Sequence, residues 1–163
     1  NDQTEVKNFE KQLSYHTKHD YLTGLFNRGV FDQEVRLAIH ETDSSDVDHC
    51  ICLLSLSQFN IVNETSGHRA GDKLLQTVAR LLQKKVRAPS DVVARVGGDE
   101  FGILLRHCSL ETAQRICKSI IEEIDNTHFE FENNRFAINV GIGIVSINGK
   151  PAPTLVSYKY VFL

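Results

Sequence analysis

The sequence predicts an α+β domain of ferredoxin-like type, with one mainly antiparallel sheet and helices packed against it. Segments with helical and strand periodicity occur in the order helix, strand, helix, hairpin, helix, strand. One segment, Cys50–Leu56, is almost continuously apolar, as in a buried strand. Glycines at 97–98 and asparagines at 133–134 each separate two strand-like segments, which indicates hairpins. A single sheet with helices on one face is the simplest packing for these elements.

Two helices are predicted before the first strand. In residues 4–18, apolar residues recur at helical spacing at Val6, Phe9 and Leu13. This stripe is too short to stabilise an isolated helix, so we interpret residues 1–18 as a linker or signalling helix from an upstream domain, with a frayed terminus as the alternative. Residues 19–163 then form one domain. Its first helix follows the turn-rich segment 20–28, before an acidic loop at 41–48.

The middle of the chain predicts a strand, a long helix and a hairpin. Cys50–Leu56 is apolar enough to be buried on both faces of a sheet. After a turn-like segment at 63–71, the clearest amphipathic helix begins, and Pro89 closes it. Its apolar positions are Leu74, Leu75, Val78, Leu81, Leu82 and Val86. Strands at 92–96 and 101–105 then flank a tight glycine turn.

The last part of the chain predicts a helix, a second hairpin and further strand. Ser109 is a suitable N-cap for a helix with an apolar stripe at Ala113, Ile116, Ile120 and Ile124. The second strand of the hairpin around 133–134 is expected to continue to Ile147. Val156, Tyr158, Tyr160 and Phe162 alternate as in one more short strand.

Length, composition and charge restrict the classes of function. The 163 residues suggest one domain, with 41% hydrophobic and 24% charged residues as in soluble globular proteins. The net charge of -3 disfavours a nucleic-acid-binding protein, which usually has a basic face. No apolar segment approaches the ~20 residues that span a bilayer, and the polar residues 1–10 do not form a signal peptide. We therefore expect a cytoplasmic domain without membrane contact, and the absence of methionine suggests a piece of a longer protein.

The four cysteines are interpreted as free thiols of a core inside the cell, because no secretory signal points to a disulfide framework. An alternative is a zinc site. It would be built from His49, Cys50, Cys52, His107 and Cys108. No CxxC spacing supports this alternative.

The turn at 97–100 combines two glycines with two adjacent carboxylates. Gly97 and Gly98 lack side chains, so a polyphosphate can approach the backbone closely. The carboxylates of Asp99 and Glu100 can bind Mg²⁺, which prefers oxygen ligands and often bridges to substrate phosphates. Alone, such a turn is more often a solvated hairpin.

This turn belongs to the last of three sequence blocks, namely DYLTGLFNR at 20–28, FNIVNETSGHRAGD at 59–72 and DVVARVGGDEF at 91–101. Together the blocks resemble the GGDEF family, the diguanylate cyclases, over about residues 20–146. The resemblance implies an adenylyl-cyclase-like palm fold. It also implies that two domains, each holding one GTP and Mg²⁺, meet as a homodimer through their active-site faces. They condense two GTP into cyclic di-GMP by nucleotidyl transfer, with two metal ions at the phosphates.

The resemblance also implies roles for residues around the turn. By position, Asp99 and the backbone carbonyl of Leu56 correspond to metal ligands. Glu100 corresponds to the carboxylate that helps to activate the attacking 3′-hydroxyl. Gly97 and Gly98 correspond to the turn that the phosphates approach.

Four residues of the second block correspond to the substrate site of the family. Asn63 and Asp72 match the pair that reads the guanine edge, which suits an amide and a carboxylate. Taken singly, Asn63 would be a turn residue and Asp72 an acid near a helix N-terminus. Phe59 and Asn60 match the segment beside the bound nucleotide.

The end of the first strand departs from the family pattern. The family has Asp-x-Asp there, followed by an aromatic residue and usually a lysine, whereas this chain has Ser55, Ser57 and Asn60. Ser55 replaces the aspartate that bridges both metals, and a neutral hydroxyl is a poor Mg²⁺ ligand beside a carboxylate. We therefore expect impaired binding of the metal pair and weak or lost cyclase activity.

Two further departures concern product inhibition and the C-terminal end. Many family members bind product through Arg-x-x-Asp before the turn, but Arg87 and Asp91 are one residue too far apart, so inhibition there is not expected. The family also continues into a helix and a strand with a phosphate-binding lysine. Residues 154–163 do not match this region, which therefore reads as truncated or atypical, and Lys159 is not assigned that role.

The function favoured by the sequence is a GTP-binding GGDEF domain of a bacterial cyclic di-GMP signalling protein. Its blocks resemble GGDEF domains that precede a phosphodiesterase (EAL) domain, so an adjacent sensor or EAL domain is the expected partner. The alternatives are an active diguanylate cyclase and a non-catalytic dimerisation module that regulates a neighbouring phosphodiesterase domain.

Overall fold

The fold is built on a five-stranded antiparallel sheet, in a computed structural model that describes residues 2–44, 47–148 and 158–162. The helices are α1 (Asp2–Lys18), α2 (Arg28–Ser44), α3 (Phe59–Ser66), α4 (His68–Lys85) and α5 (Leu110–Asp125). The strands are β1 (His49–Leu56), β2 (Val92–Arg95), β3 (Glu100–Leu105), β4 (His128–Phe131), β5 (Asn134–Ala137), β6 (Val140–Ile147) and β7 (Tyr158–Phe162). The sheet has the order β2-β3-β1-β6-β7, and β4 and β5 form a separate hairpin. The predicted α+β class is confirmed.

The larger hydrophobic core lies between the sheet and helices α4 and α5. Alternate residues of β1 point into it, and Cys52 and Leu54 are fully buried. The predicted apolar stripes of α4 and α5 supply the facing side chains, including Leu74 and Ile120. Ser109 caps α5 as predicted, because its hydroxyl accepts a hydrogen bond from the backbone N–H of Thr112 at 3.2 Å.

Helix α2 packs on the opposite face of the sheet, so the prediction that the helices lie on one face is wrong. It covers β2 and β3 through a second cluster that includes Phe31, Ala38 and Leu104. Phe31 lies so close to Gly102 that a Cβ there would be only 2.7 Å from its ring. Helix α2 leaves most of this face of β1 uncovered, and Leu53 on it is 47% exposed. The prediction that β1 is buried on both faces is therefore also wrong.

The segment predicted as a turn at 63–71 is almost entirely helical, which corrects the turn assignment of Asn63. Helix α3 ends at Ser66, and α4 begins only two residues later at His68. The junction is Gly67, whose φ of 87° lies in the left-handed region that glycine adopts without strain. A single glycine therefore replaces the expected loop.

The predicted continuous strand from Phe136 to Ile147 is interrupted at 138–139. Asn139 bonds instead to the loop after β1. Its carbonyl accepts hydrogen bonds from the N–H and hydroxyl of Ser57, at 3.1 and 3.0 Å, and its N–H donates to Gln58 at 2.9 Å. Since these bonds replace a strand ladder, β5 leaves the central sheet and only β6 pairs with β1.

Both ends of the chain agree with the predictions where they are described. Helix α1 is present, and its stripe is exposed, with Phe9 62% accessible. Strand β7 pairs antiparallel with β6, while Val156 lies outside the described residues. Helix α2 extends to Ser44, so it includes the first part of the expected acidic loop. Across the described residues, no helix combines the length and apolarity needed to cross a membrane.

Candidate nucleotide-binding site

The end of β1 and the glycine turn lie side by side, which brings together the residues proposed for metal binding. Ser55 is paired directly with Glu100 in the ladder between β1 and β3. The next residue, Leu56, donates its backbone N–H to the carbonyl of Asp99 at 3.2 Å. Directly paired residues of an antiparallel ladder point to the same face. The Ser55 hydroxyl and the Glu100 carboxylate therefore share one face of the sheet.

The two glycines of the turn have different surroundings. A Cβ on Gly97 would lie 3.1 Å from the Glu100 carboxylate, so this glycine lets Glu100 fold back over the turn. Gly98 is exposed, and a Cβ added to it would meet no atom within 4 Å, which leaves its backbone open to a ligand. Gly98 is thus the better position for close approach of a phosphate.

Arg95 forms hydrogen bonds to the backbone of the glycine turn, a role that was not predicted from the sequence. Its guanidinium donates to the carbonyl oxygens of Gly97 at 3.2 Å and Gly98 at 3.0 Å. The same side chain forms an ion pair with Asp20, whose carboxylate also accepts from the N–H and hydroxyl of Thr23. The presence of both residues in the motif blocks was the only sequence signal for this contact.

Helix α3 begins at Phe59, with two residues between it and the end of β1, so its N-terminus lies near the end of that strand. Its N-cap residue, Gln58, makes no side-chain capping bond to the helix. The first N–H groups of a helix without such a cap favour anions. Phe59 and Asn60, predicted at the substrate, are the first two residues of α3.

Asn63 lies on α3 and Asp72 on α4, on either side of the Gly67 junction. The Asn63 side chain lies against Gly71, so closely that a Cβ on Gly71 would be 1.9 Å from its Oδ1. This Oδ1 is buried and has no hydrogen-bond partner among the described residues. Asp72 follows Gly71 and is exposed. The structure thus places Asn63 against the residue that precedes Asp72 and leaves the buried Asn63 oxygen without a partner among the described residues.

The donor set at the turn fits one Mg²⁺ better than two. Asp99 and Glu100 supply carboxylates and Leu56 a carbonyl oxygen, whereas Ser55 supplies only a neutral hydroxyl. The hydroxyl of Ser57 is likewise neutral, and it lies within hydrogen-bond distance of Gln58 Oε1 and of the Asn139 carbonyl. In residues 2–44, 47–148 and 158–162, no group of three or more histidine, cysteine or acidic side chains is arranged to hold a metal.

Arg87 and Asp91 bond to each other. The Asp91 carboxylate is fully buried and accepts from Arg87 Nε at 3.0 Å and Nη2 at 3.2 Å. It also accepts from the backbone N–H groups of Arg87 and Arg106. All of these bonds are internal, and through Arg106 they fix the loop after α4 to the residue that follows β3.

Comparison with known proteins shows the family to which the chain belongs. The family model described as diguanylate cyclase, GGDEF domain, matches residues 17–158. The protein named probable diguanylate cyclase DgcE, from Escherichia coli K12, is 38% identical over 158 residues, or 96% of this chain and 14% of DgcE. The cyclic di-GMP phosphodiesterase PdeB of Shewanella oneidensis is 31% identical over 143 residues, or 88% of this chain and 16% of PdeB. The chain thus spans less than a fifth of either relative.

A solved structure has a similar fold. The coiled coil and GGDEF domain of DgcB from Caulobacter crescentus, in complex with c-di-GMP, superposes with a TM-score of 0.84 at 24% identity. The match covers 91% of this chain and 78% of that one. The match to the family model, together with the glycine turn and the α3–α4 junction, shows that the chain belongs to the GGDEF family, whose homologues include diguanylate cyclases.

Proposed function

We propose that this domain binds GTP and that its diguanylate cyclase activity is weak or lost. The observation that carries the proposal is the direct pairing of Ser55 with Glu100. Ser55 stands where the family has its bridging aspartate, so one negative ligand is missing beside Glu100. Transition-state stabilisation by metal ions contributes several kcal/mol in phosphoryl chemistry, and each ~1.4 kcal/mol corresponds to tenfold in rate.

Retention of GTP binding is supported by three features that do not involve Ser55. The uncapped N-terminus of α3 offers N–H groups to phosphates. Gly98 leaves the turn open to them. Asn63 and Asp72, the pair that the family resemblance assigns to the guanine edge, are both present, and Asp72 is exposed. Nucleotide affinity therefore survives the loss of the bridging carboxylate.

The register of the sheet adds a second role for Glu100. Glu100 pairs with Ser55, so its carboxylate lies beside the place where the family binds metal. The family resemblance also assigns Glu100 to activation of the attacking hydroxyl. We propose that Asp99, Glu100 and the Leu56 carbonyl hold one Mg²⁺ together with the nucleotide. When bound, this ion would offset the negative charge of the phosphates. The protein residues then orient the nucleotide and exclude alternative positions of its phosphates.

The biological setting is part of the same proposal, and the names of two relatives support it. One relative carries the name of a cyclase and another that of a phosphodiesterase for cyclic di-GMP. We propose that this domain lies in a cytoplasmic signalling protein beside a sensor or an EAL domain. There it responds to GTP, and it pairs with a second GGDEF domain through its active-site face where turnover remains.

The test combines binding and turnover on this chain. GTP is titrated with Mg²⁺ by calorimetry, and formation of cyclic di-GMP is followed by chromatography. We expect GTP to bind more tightly than ATP, and wild-type turnover to be slow or undetectable. Ser55→Asp should raise turnover at least about tenfold, because it restores a carboxylate beside Glu100.

Ser90→Asp is the matched control, since Ser90 is exposed and lies at the opposite end of β2 from the turn. It should leave turnover unchanged.

Asp72→Ala should weaken GTP binding and abolish the preference for GTP over ATP. Rapid wild-type synthesis that Ser55→Asp does not improve would contradict the metal part of the proposal, and equal affinities for ATP and GTP would contradict the guanine part.

A further inference from the structure

A cavity of about 630 Å³ lies beside β2, at the end of this strand that is far from the glycine turn. The last turn of α1, the first turns of α2 and the residues around the ends of β2 and β3 line it. Small-molecule sites in proteins have volumes in this range. Among the described residues that line it, none belongs to the nucleotide site, so the cavity is separate from that site.

Asn27 connects two walls of the cavity. Its Nδ2 donates a hydrogen bond to the carbonyl of Thr17 at 2.9 Å, and its N–H donates to the carbonyl of Lys18 at 2.8 Å. Its Oδ1 accepts from the N–H of Val30 at 3.1 Å, in the first turn of α2. These bonds hold the end of α1 against the start of α2. A ligand would therefore meet a cavity that is already formed, which lowers the cost of ordering on binding.

Arg106, which follows β3, supplies a third fixed part of the lining. Its Nη1 donates to the carbonyl of Ser90 at 2.9 Å, and its Nη2 forms an ion pair with Glu34 of α2. Its backbone N–H donates to the buried carboxylate of Asp91 at 3.1 Å. The guanidinium is thus held in one orientation beside the cavity.

The charged side chains of the lining favour an anion. The cations are Lys18, Arg28 and Arg106, and the carboxylate is Glu34, so positive groups exceed negative ones by two, three against one. Lys18 has no ion-pair partner among the described residues. Arg28 lies 3.8 Å from Asp32 in an exposed contact, which holds it weakly. This excess of positive charge occurs in a chain whose net charge is -3.

The rest of the lining suits the body of an organic molecule. Phe26, Val30, Pro89 and Val92 contribute apolar surface that includes an aromatic ring. Gln33 contributes an amide, which can both donate and accept hydrogen bonds. A nucleobase has a flat face that packs on aromatic side chains and an edge that an amide can bond. An inorganic anion would leave this surface unused.

We propose that this cavity binds a nucleoside phosphate, at a site additional to the one that holds GTP. Lys18 and Arg28 pair with its phosphate, and its base packs on Phe26 beside the Gln33 amide. Lys18 ends α1 and Arg28 begins α2, so the ligand joins the two helices and restrains the end of α1. The proposal does not depend on GTP binding or on cyclase activity, because its residues are separate from the nucleotide site.

The experiment titrates the isotopically labelled chain with AMP and with UMP and follows the backbone amides by two-dimensional NMR. We expect saturable shifts at residues 17–18, 26–34 and 106. Inorganic phosphate and adenosine are the comparison probes, and each should bind at least about tenfold more weakly than AMP, because each lacks one half of the ligand. Bound AMP should also slow hydrogen exchange in the last turn of α1.

The double variant Lys18→Glu/Arg28→Glu should bind AMP at least about tenfold more weakly, since two favourable charges become repulsive. Arg80→Glu/Lys84→Glu is the matched control, because it makes the same change in net charge at exposed positions of α4 outside the lining. It should bind AMP as the wild type does. Asp72→Ala should also leave AMP binding unchanged, so a failure of the guanine site is distinguishable from a failure of this one.

Three results would overturn the proposal. The first is the absence of saturable shifts at the cavity with both AMP and UMP at millimolar concentration, including shifts confined to the α3–α4 junction. The second is an equal loss of affinity in the two double variants, which would show a general effect of charge. The third is equal affinity for AMP and inorganic phosphate, which would show that the apolar surface and the amide take no part in binding.

Discussion

The Arg95 guanidinium connects Asp20 to the glycine turn. Arg95 Nη1 lies 3.3 Å from Asp20 Oδ1, and the other nitrogens of the same group donate to the carbonyls of Gly97 and Gly98. Asp20 follows α1 by two residues. The segment after the N-terminal helix is therefore in direct contact with the group that holds the turn.

Substitution of Asp20 by asparagine should loosen the turn. The ion pair is mostly buried, with 19% and 17% of the two side chains exposed. Because Arg95 would lose its charged partner, we expect the free energy of unfolding to fall by roughly 1–2 kcal/mol in urea titrations. Asp32→Asn is the matched control, since Asp32 pairs with Arg28 in an exposed contact, and it should change stability by less than about 0.5 kcal/mol. Equal effects of both variants would contradict a special role for the Asp20–Arg95 contact.

Gly71→Ala should displace Asn63. The new Cβ would lie 1.9 Å from Asn63 Oδ1 and 2.9 Å from its Cγ, so the amide must move. We expect a loss of roughly 1–3 kcal/mol in stability and weaker GTP binding by calorimetry. Combining it with Asn63→Ala should recover stability but not GTP affinity. Gly141→Ala, where a Cβ meets no atom within 4 Å, is the stability control. Unchanged GTP affinity in Gly71→Ala would exclude Asn63 from the binding site.

His49 should make the fold sensitive to acid. The ring is fully buried, its Nδ1 accepts the N–H of His107 at 3.1 Å, and its Nε2 lies 3.4 Å from a Glu41 carboxylate oxygen. Burial lowers the pKa of His49 below 6.5, against the opposing charge of Glu41 and with a further lowering by His107 and Arg106. The unfolded state therefore takes up this proton first, so stability is complete above pH 6.5 and falls as the pH drops below it.

His49→Asn should flatten this pH dependence, because the asparagine oxygen can replace Nδ1 as acceptor without titrating. The check is the free energy of unfolding from about pH 8 to pH 5, where a single histidine changes the slope by at most ~1.4 kcal/mol per pH unit. His68→Asn, at an exposed position on α4, serves as control and should retain the wild-type slope. Identical slopes for all three proteins would refute the role of His49.

Asp91→Asn should destabilise the domain without affecting the nucleotide site. The carboxylate is buried and accepts four hydrogen bonds from Arg87 and Arg106, so loss of its charge weakens all of them. We expect a loss of roughly 2–3 kcal/mol in urea unfolding. Asp125→Asn, at an exposed position, should change stability little. Because the Arg87 guanidinium is already bonded to Asp91 and to the Arg106 carbonyl, Arg87→Ala should not alter any affinity for cyclic di-GMP, which titration can check.

The predictions from sequence were accurate where local patterns sufficed. The stripes of α4 and α5 and the cap at Ser109 follow from spacing within one element. The spacing of apolar residues in α2 does not predict which face of the sheet this helix covers, because its apolar stripe would fit either face. The break at 138–139 was also missed, since it depends on bonds from Asn139 to Ser57 and Gln58, more than eighty positions away.

By itself, the sequence determined the family, the fold class, the residues of the glycine turn and the substitution at Ser55, because these depend on residue identity and short-range spacing. Only the tertiary structure decided which residues meet. It placed Glu100 opposite Ser55, set Asn63 against Gly71 and joined Arg95 to Asp20. Such contacts arise from strand register and helix packing, and these are fixed by the burial of the whole core rather than by any one segment.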